Sequence, residues 1–218
     1  MAYQRKRFQL VISPTTSQPQ NSTPSMLPNL KDYKILLASK SPRRRELLQM
    51  LRIPFSVVSI GGIKEDYPDT VPLIDVPQYV SSKKADAYHE LIKDDEMIIT
   101  ADTMVICDNK ILGKPKDAED AIEMLLLLSE KTHQVATGVT ISTKDRRTSF
   151  TTVTDVSFAK LSEEEVRYYV ENYMPLDKAG AYGIQEWIGG VAVSGINGSY
   201  YNVMGLPVHR LYQELKMF

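Results

Sequence analysis

The sequence predicts an α/β domain built on a mixed β-sheet, and three observations carry that expectation. From residue 34 onward, short apolar runs of strand length alternate with segments of helical period. Residues 133–143 and 148–159 are rich in β-branched side chains and flank the polar tetrad Lys144-Asp145-Arg146-Arg147, so they read as a long antiparallel hairpin. With 218 residues, 43% of them hydrophobic, the chain can bury a substantial core as one compact unit.

The elements follow in order. Residues 34–38 read as a short buried strand, and a helix starts at about Pro42, because serine is a good N-cap and proline suits the first helical position. Residues 55–59 form a strand, followed by a loop holding Gly61-Gly62, Pro68, Pro72 and Pro77, and then a helix around residues 78–92. Residues 97–101 read as a buried strand that ends at Asp102-Thr103, with a second apolar run at 104–107 before the Asp108-Asn109 turn. Residues 117–129 suit a helix whose apolar side carries Ala121, Ile122, Leu125 and Leu128. After the hairpin, Ser162 caps a helix to about Tyr173, with Glu163, Glu164 and Glu165 well placed against its dipole. The rest is turn-rich until Pro207 opens a last helix. Residues 13–29, rich in Ser, Thr, Pro, Gln and Asn, have no apolar period, so residues 1–29 are expected to be a disordered extension and 30–218 the folded domain, with Met26 an alternative initiator.

Charge and composition exclude several classes. A formal net charge of −1 and a pI near 6.3 make a cluster of arginines a local feature, which argues against a stable nucleic-acid partner. The single Cys107 in an apolar run fits a reducing cytosol, and no apolar stretch approaches the ~18 residues of a membrane span. A cytoplasmic protein without membrane attachment is expected.

The segment LLASKSPRRRELL, residues 36–48, places three arginines in the first turn of a helix. Each opposes the helix dipole by roughly 0.3–1 kcal/mol unless compensated. A polyanion at the turn removes the conflict, since free N–H groups, hydroxyls and guanidinium forks would all point at it. A phosphate ligand is therefore expected. Asp102, at the expected strand end, stands where α/β sheets place their sites, although a turn aspartate bonded to its own backbone explains it equally well in isolation. Glu65 lies in the Gly/Pro-broken loop and could share a hard cation with Asp102, and Gly113-Lys114-Pro115 holds a lysine in a tight turn as a point charge for phosphate. Asp177-Lys178-Ala179-Gly180-Ala181-Tyr182-Gly183-Ile184-Gln185 lets backbone approach a ligand closely and ends in an amide that can donate to and accept from a base edge. No P-loop or dinucleotide fingerprint is present, and His89, His133 and His209 lack zinc spacing.

Six ordered segments, LLASKSPRRRELL, TADTMV (100–105), ILGKP (111–115), HQVATGV (133–139), DKAGAYGIQ (177–185) and INGSYYNVMGLP (196–207), make residues 34–217 resemble the Maf family of nucleoside triphosphate pyrophosphatases. The resemblance implies an elongated α/β fold like that of inosine triphosphate pyrophosphatases, with a cleft between two lobes. It implies a hydrolase that cuts the α–β phosphoanhydride bond with a divalent cation, Mg²⁺ or Mn²⁺. Carried over residue by residue, Asp102 becomes the proton acceptor and, with Glu65, a metal ligand; Ser39, Arg43, Arg44, Lys84 and Lys114 hold phosphate. Arg43, Thr103 and Gln185 match the branch acting on dTTP and UTP. The sequence departs at Gly62-Ile63-Lys64-Glu65, where only Glu65 keeps an acidic stretch, and at Glu186, where many relatives have glycine. A homodimer is compatible with this reading. The competing reading is a non-catalytic nucleotide- or polyanion-binding regulator of cell division, from which Asp102 discriminates: a pure anion binder gains nothing from a carboxylate against its ligand.

Overall fold

The structure of the chain is a computed structural model and describes residues 11–13 and 26–218. Its strands are β1 (Val11–Ser13), β2 (Lys34–Leu37), β3 (Phe55–Ser59), β4 (Glu96–Cys107), β5 (Lys110–Leu112), β6 (Thr132–Ser142), β7 (Arg147–Phe158) and β8 (Val193–Asn197). They form one mixed sheet in the order β1-β3-β2-β4-β6-β7-β8, with β5 paired to β4. The parallel pairs are β2–β3 and β2–β4; the other pairs are antiparallel. The helices are α1 (Pro42–Gln49), α2 (Val76–His89), α3 (Ala118–Leu128), α4 (Glu163–Tyr173), α5 (Trp187–Ala192), α6 (Tyr200–Met204) and α7 (Val208–Lys216). Among the described residues, no helix is long and apolar enough to cross a membrane.

Of three buried apolar clusters among the described residues, the two larger divide the molecule into two lobes, and the smallest packs Leu36, Val58, Ile60, Tyr88, Ile92 and Ile98. One of the two larger cores packs Ile35, Leu37, Leu47, Leu48, Met97, Ile99, Val139, Ile141 and Leu211; the other packs Val105, Leu125, Leu128, Val135, Phe158, Tyr169, Tyr182 and Ile188. The long strands β4 and β6 contribute to both, so a single sheet runs through the two lobes.

The expectation that a strand ends at Asp102-Thr103 is corrected: residues 96–107 are one continuous strand. Its antiparallel partner β6 keeps register throughout, pairing Asp102 with Gly138, so the polar pair does not break the ladder. The last residue of β2, Leu37, pairs with Ile99. Asp102 therefore lies just beyond the end of its parallel neighbour, where the sheet opens to a cleft. The polar interruption in the sequence marks the boundary between the two cores rather than a chain reversal.

Helix α2 starts and ends earlier than the expected 78–92, with Pro77 in its first turn. Asp108 and Asn109, both at positive φ, make the tight β4–β5 hairpin. The elements α5, β8 and α6 occupy a region read only as turn-rich; each has five or six residues, too few for a hydrophobic period. The hairpin and the capped helix agree closely with expectation, and Ser162 and Glu165 form a full capping box.

The expected disordered extension over residues 1–29 falls mostly outside the described residues. Within them, residues 11–13 pair antiparallel with β3, and Leu27, 2% exposed, joins the first core. Packing of the domain thus begins before Leu30.

Candidate active site

The turn between β2 and α1 is organised by its serines. Ser39 Oγ accepts the backbone N–H of Ser41 at 3.2 Å, and Ser41 caps α1 with Pro42 at the first helical position. Arg43 and Arg44 leave this first turn in different directions. Arg43 reaches across the cleft to Asp177 Oδ2 at 2.8 Å. Arg44 turns into the wall and donates to the carbonyls of Gly205 and Ala101, each at 2.8 Å, and to Thr103 Oγ1 at 3.0 Å. Burial pulls its pKa down, and neighbouring Asp102 opposes that. Protein acceptors thus compensate the misplaced charge of Arg44 that the sequence left for a ligand. Its guanidinium ties α1 to β4 and to the Gly205 turn while still facing the cleft. Arg45 does not line the cleft.

Asp102 forms the floor. It is 8% exposed, and its Oδ1 accepts from Lys84 Nζ at 2.7 Å. Lys84 comes from α2 and also pairs with Glu65 Oε1 at 2.8 Å, so one ammonium draws both carboxylates to a point. Partial burial of Glu65 works against its ionisation, but its bond and charge pairing with Lys84, aided by Lys114 and Arg44, hold its pKa below the ordinary value. Helix α2 can deliver Lys84 because Gly138 of β6 has no side chain: a Cβ there would lie 2.1 Å from the backbone nitrogen of Gln78.

The opposite wall is the segment 177–185. Gly180, at φ +68°, packs on Val105 and donates its N–H to Gly113 O at 3.0 Å, which joins this wall to the turn presenting Lys114. Asp177 is drawn down to about 2: burial pushes its pKa up, but bonds from Lys178 and Arg43 more than offset that. Gln185 lies exposed on the same wall. Thr103 does not offer its hydroxyl freely to a ligand; it accepts from Arg44 and bonds Thr137 Oγ1 at 3.0 Å.

All nine predicted site residues, Ser39, Arg43, Arg44, Glu65, Lys84, Asp102, Thr103, Lys114 and Gln185, line one cleft of about 730 Å³. Six cations (Lys40, Arg43, Arg44, Lys84, Lys114, Lys178) and three carboxylates (Glu65, Asp102, Asp177) line it, giving a positive cavity in a nearly neutral chain. Sequence reading gave no separate role to Tyr169 or Lys178, whose polar atoms brace the far wall, nor to Thr137, which bonds Thr103 behind the floor. Thr137 bonds a residue 34 positions away and Tyr169 one 14 away, so no local spacing marks either contact.

The mixed β-sheet opens beyond the end of β2 into a cation-lined cleft with the Asp102 carboxylate at its floor, an arrangement that can hold a polyanion beside a carboxylate. Residues 34–218 match the family described as Maf-like protein, and the chain belongs to it. A relative from Phocaeicola vulgatus is 56% identical over 191 residues, covering 88% of this chain and 99% of its own. One from Parabacteroides distasonis is 55% identical over 193 residues, covering 88% and 100%, and one from Flavobacterium johnsoniae is 45% identical over 186, covering 85% and 95%. All three are named dTTP/UTP pyrophosphatase. Among solved structures, a HAM1 protein from Coxiella burnetii aligns with 59% of this chain and 74% of its own at 11% identity and a TM-score of 0.35.

Proposed function

We propose that the chain hydrolyses dTTP and UTP to the monophosphate and pyrophosphate, as its relatives' names indicate for them. The observation that carries this reading is Asp102, a nearly buried carboxylate on the floor of a cation-lined cleft, paired with Lys84 at 2.7 Å. A module that only bound polyanions would be weakened by that charge, whereas a hydrolase needs a proton acceptor beside the reacting phosphorus.

The substrate's triphosphate would lie along the Ser39–Arg44 turn, with Arg43 exchanging Asp177 for phosphate and Lys114 closing from the rim. These cations neutralise the charge that grows on departing pyrophosphate. Gln185, on the far wall, would bond the pyrimidine edge. The α-phosphorus is then held between two anchors, over Asp102, which takes the proton of the attacking water. Lys84 keeps Asp102 oriented for that step.

Glu65 and Asp102 fit a hard divalent cation such as Mg²⁺ or Mn²⁺, because both offer oxygen ligands and both already converge on a single cationic centre, Lys84 Nζ. Among the described residues, no group of three or more His, Cys, Asp or Glu is arranged for a metal, so substrate phosphate and water would complete the coordination. Such an ion would supply further charge neutralisation and acidify water.

Hydrolysis of dTTP or UTP in ¹⁸O-water with Mg²⁺ tests the reading. Label in the monophosphate and none in pyrophosphate is expected. Label in pyrophosphate, or release of diphosphate and orthophosphate, would move the attack to another phosphorus and overturn it.

A further inference from the structure

The far wall of the cleft is braced by groups that the proposed reaction does not use. Tyr169 of α4 is fully buried, and its hydroxyl accepts the Gly183 N–H at 3.1 Å while donating to Glu186 Oε2. The other carboxylate oxygen of Glu186 lies 3.1 Å from Lys178 Nζ, which in turn holds Asp177 at 2.7 Å. The turn closes on itself as well, since the Glu186 N–H donates to Gly183 O at 2.9 Å. Gly183 is packed so closely on the Glu186 carboxylate that a Cβ would lie 2.8 Å from Glu186 Cδ. Gln185 sits between these two gripped positions with its own side chain exposed to the cleft.

We propose that Glu186 and Tyr169 form a positioning pair for base selection: together they fix the Gly183–Glu186 turn and so fix where Gln185 meets the base. This rests on the reading of Gln185 as the base contact. The physical reason is conformational. An exposed glutamine has several rotatable bonds, and a glycine-containing turn adds backbone freedom, so an unbraced turn would spend part of its binding energy on ordering. The buried Tyr169 phenol, kept neutral by burial and by its carboxylate partner, is a rigid donor suited to that task. Lys178 balances the Glu186 charge, which allows a carboxylate to sit behind the wall.

Steady-state kinetics with dTTP and dATP, and competitive inhibition by inorganic tripolyphosphate, which has phosphates but no base, test this in the full chain. Tyr169→Phe and Glu186→Ala should each raise KM for dTTP about tenfold and lower the preference for dTTP over dATP by about the same factor, the size expected for one charge-assisted hydrogen bond. Turnover and the tripolyphosphate inhibition constant should stay within about twofold. Glu186→Gln keeps an acceptor for the Tyr169 hydroxyl and should restore KM to within about threefold of the parent. Gln185→Ala combined with Tyr169→Phe should discriminate no worse than Gln185→Ala alone, because the pair acts through Gln185. Tripolyphosphate inhibition that weakens in step with KM would show a general loss of the fold or phosphate site and overturn the proposal. If Gln185→Ala abolishes base preference while Tyr169→Phe and Glu186→Ala leave it intact, the positioning role fails and the base contact stands. If Gln185→Ala itself leaves preference unchanged, both fail together.

Discussion

The Asp102 and Lys84 side chains are 11% and 14% exposed and meet at 2.7 Å, so each is the other's principal means of carrying charge away from water. Asp102→Asn keeps the size and an acceptor for Lys84 but removes the base. Turnover should fall at least about a hundredfold with nucleotide binding retained, as read by kcat and by equilibrium dialysis. A second residue, His133, is buried among Phe158 and Tyr182, with Nε2 2.8 Å from the Tyr182 hydroxyl. Burial pushes its pKa down from 6.5 to about 4. Because the folded value lies below the unfolded one, protonation favours the unfolded chain. The contribution of neutral His133 is complete above pH 6.5, declines as pH falls toward 4 and changes no further below it. Urea unfolding at pH 7 and pH 4 should show the parent losing about 3 kcal/mol more than His133→Gln. Equal losses would mean the imidazole is not held neutral.

At the scale of elements, the contact between α2 and β6 decides where the floor of the cleft lies. Gly138 allows the first turn of α2 to rest directly on β6 backbone, and two turns later the same helix delivers Lys84 to Asp102. Gly138→Ala would force the helix outward. Overpacking of this kind costs about 1–3 kcal/mol, more where backbone must shift, so a melting temperature lower by several degrees is expected, with turnover reduced in parallel. Unchanged activity in a destabilised variant would separate the packing from the site. Here the sequence was only partly legible. HQVATGV carries Gly138, yet nothing near it in the chain names Pro77 and Gln78 as its neighbours. Likewise the polar Asp102-Thr103 pair looks like a strand end when read alone. The β6 partner makes it the middle of a strand, and the end of β2 at Leu37 opens the sheet beside it; neither is visible within a local window.

Across the whole molecule, the two cores are coupled by β4 and β6, which supply Met97, Ile99, Val139 and Ile141 to one and Val105 and Val135 to the other. Neither lobe can lose its packing without exposing part of strands that the other needs. The single tryptophan, Trp187, packs against the second core only. Denaturant unfolding followed by its fluorescence and by far-ultraviolet circular dichroism should therefore give coincident transitions. An earlier fluorescence transition would show that the second lobe opens by itself. The cleft draws on the same architecture: Arg43 on α1 meets Asp177 from the far wall across a separation of 134 residues.

The sequence by itself determined the local events. Ser41-Pro42 opens α1, Ser162 with Glu165 caps α4, and the hairpin turns at 143–146, one position from the polar tetrad that marks it in the sequence. Each depends on chemistry within a few positions along the chain. Only the tertiary structure decided how those residues are spent. Arg44 is bound to Ala101, Thr103 and Gly205, 57, 59 and 161 positions away, and Lys84 is shared between Glu65 and Asp102. The reason is that a side chain's partner across a sheet is fixed by register and by which face the strand presents, and a slip of one residue would exchange every such partner. Residue type sets what a group can bond; the packing of distant segments sets what it does bond.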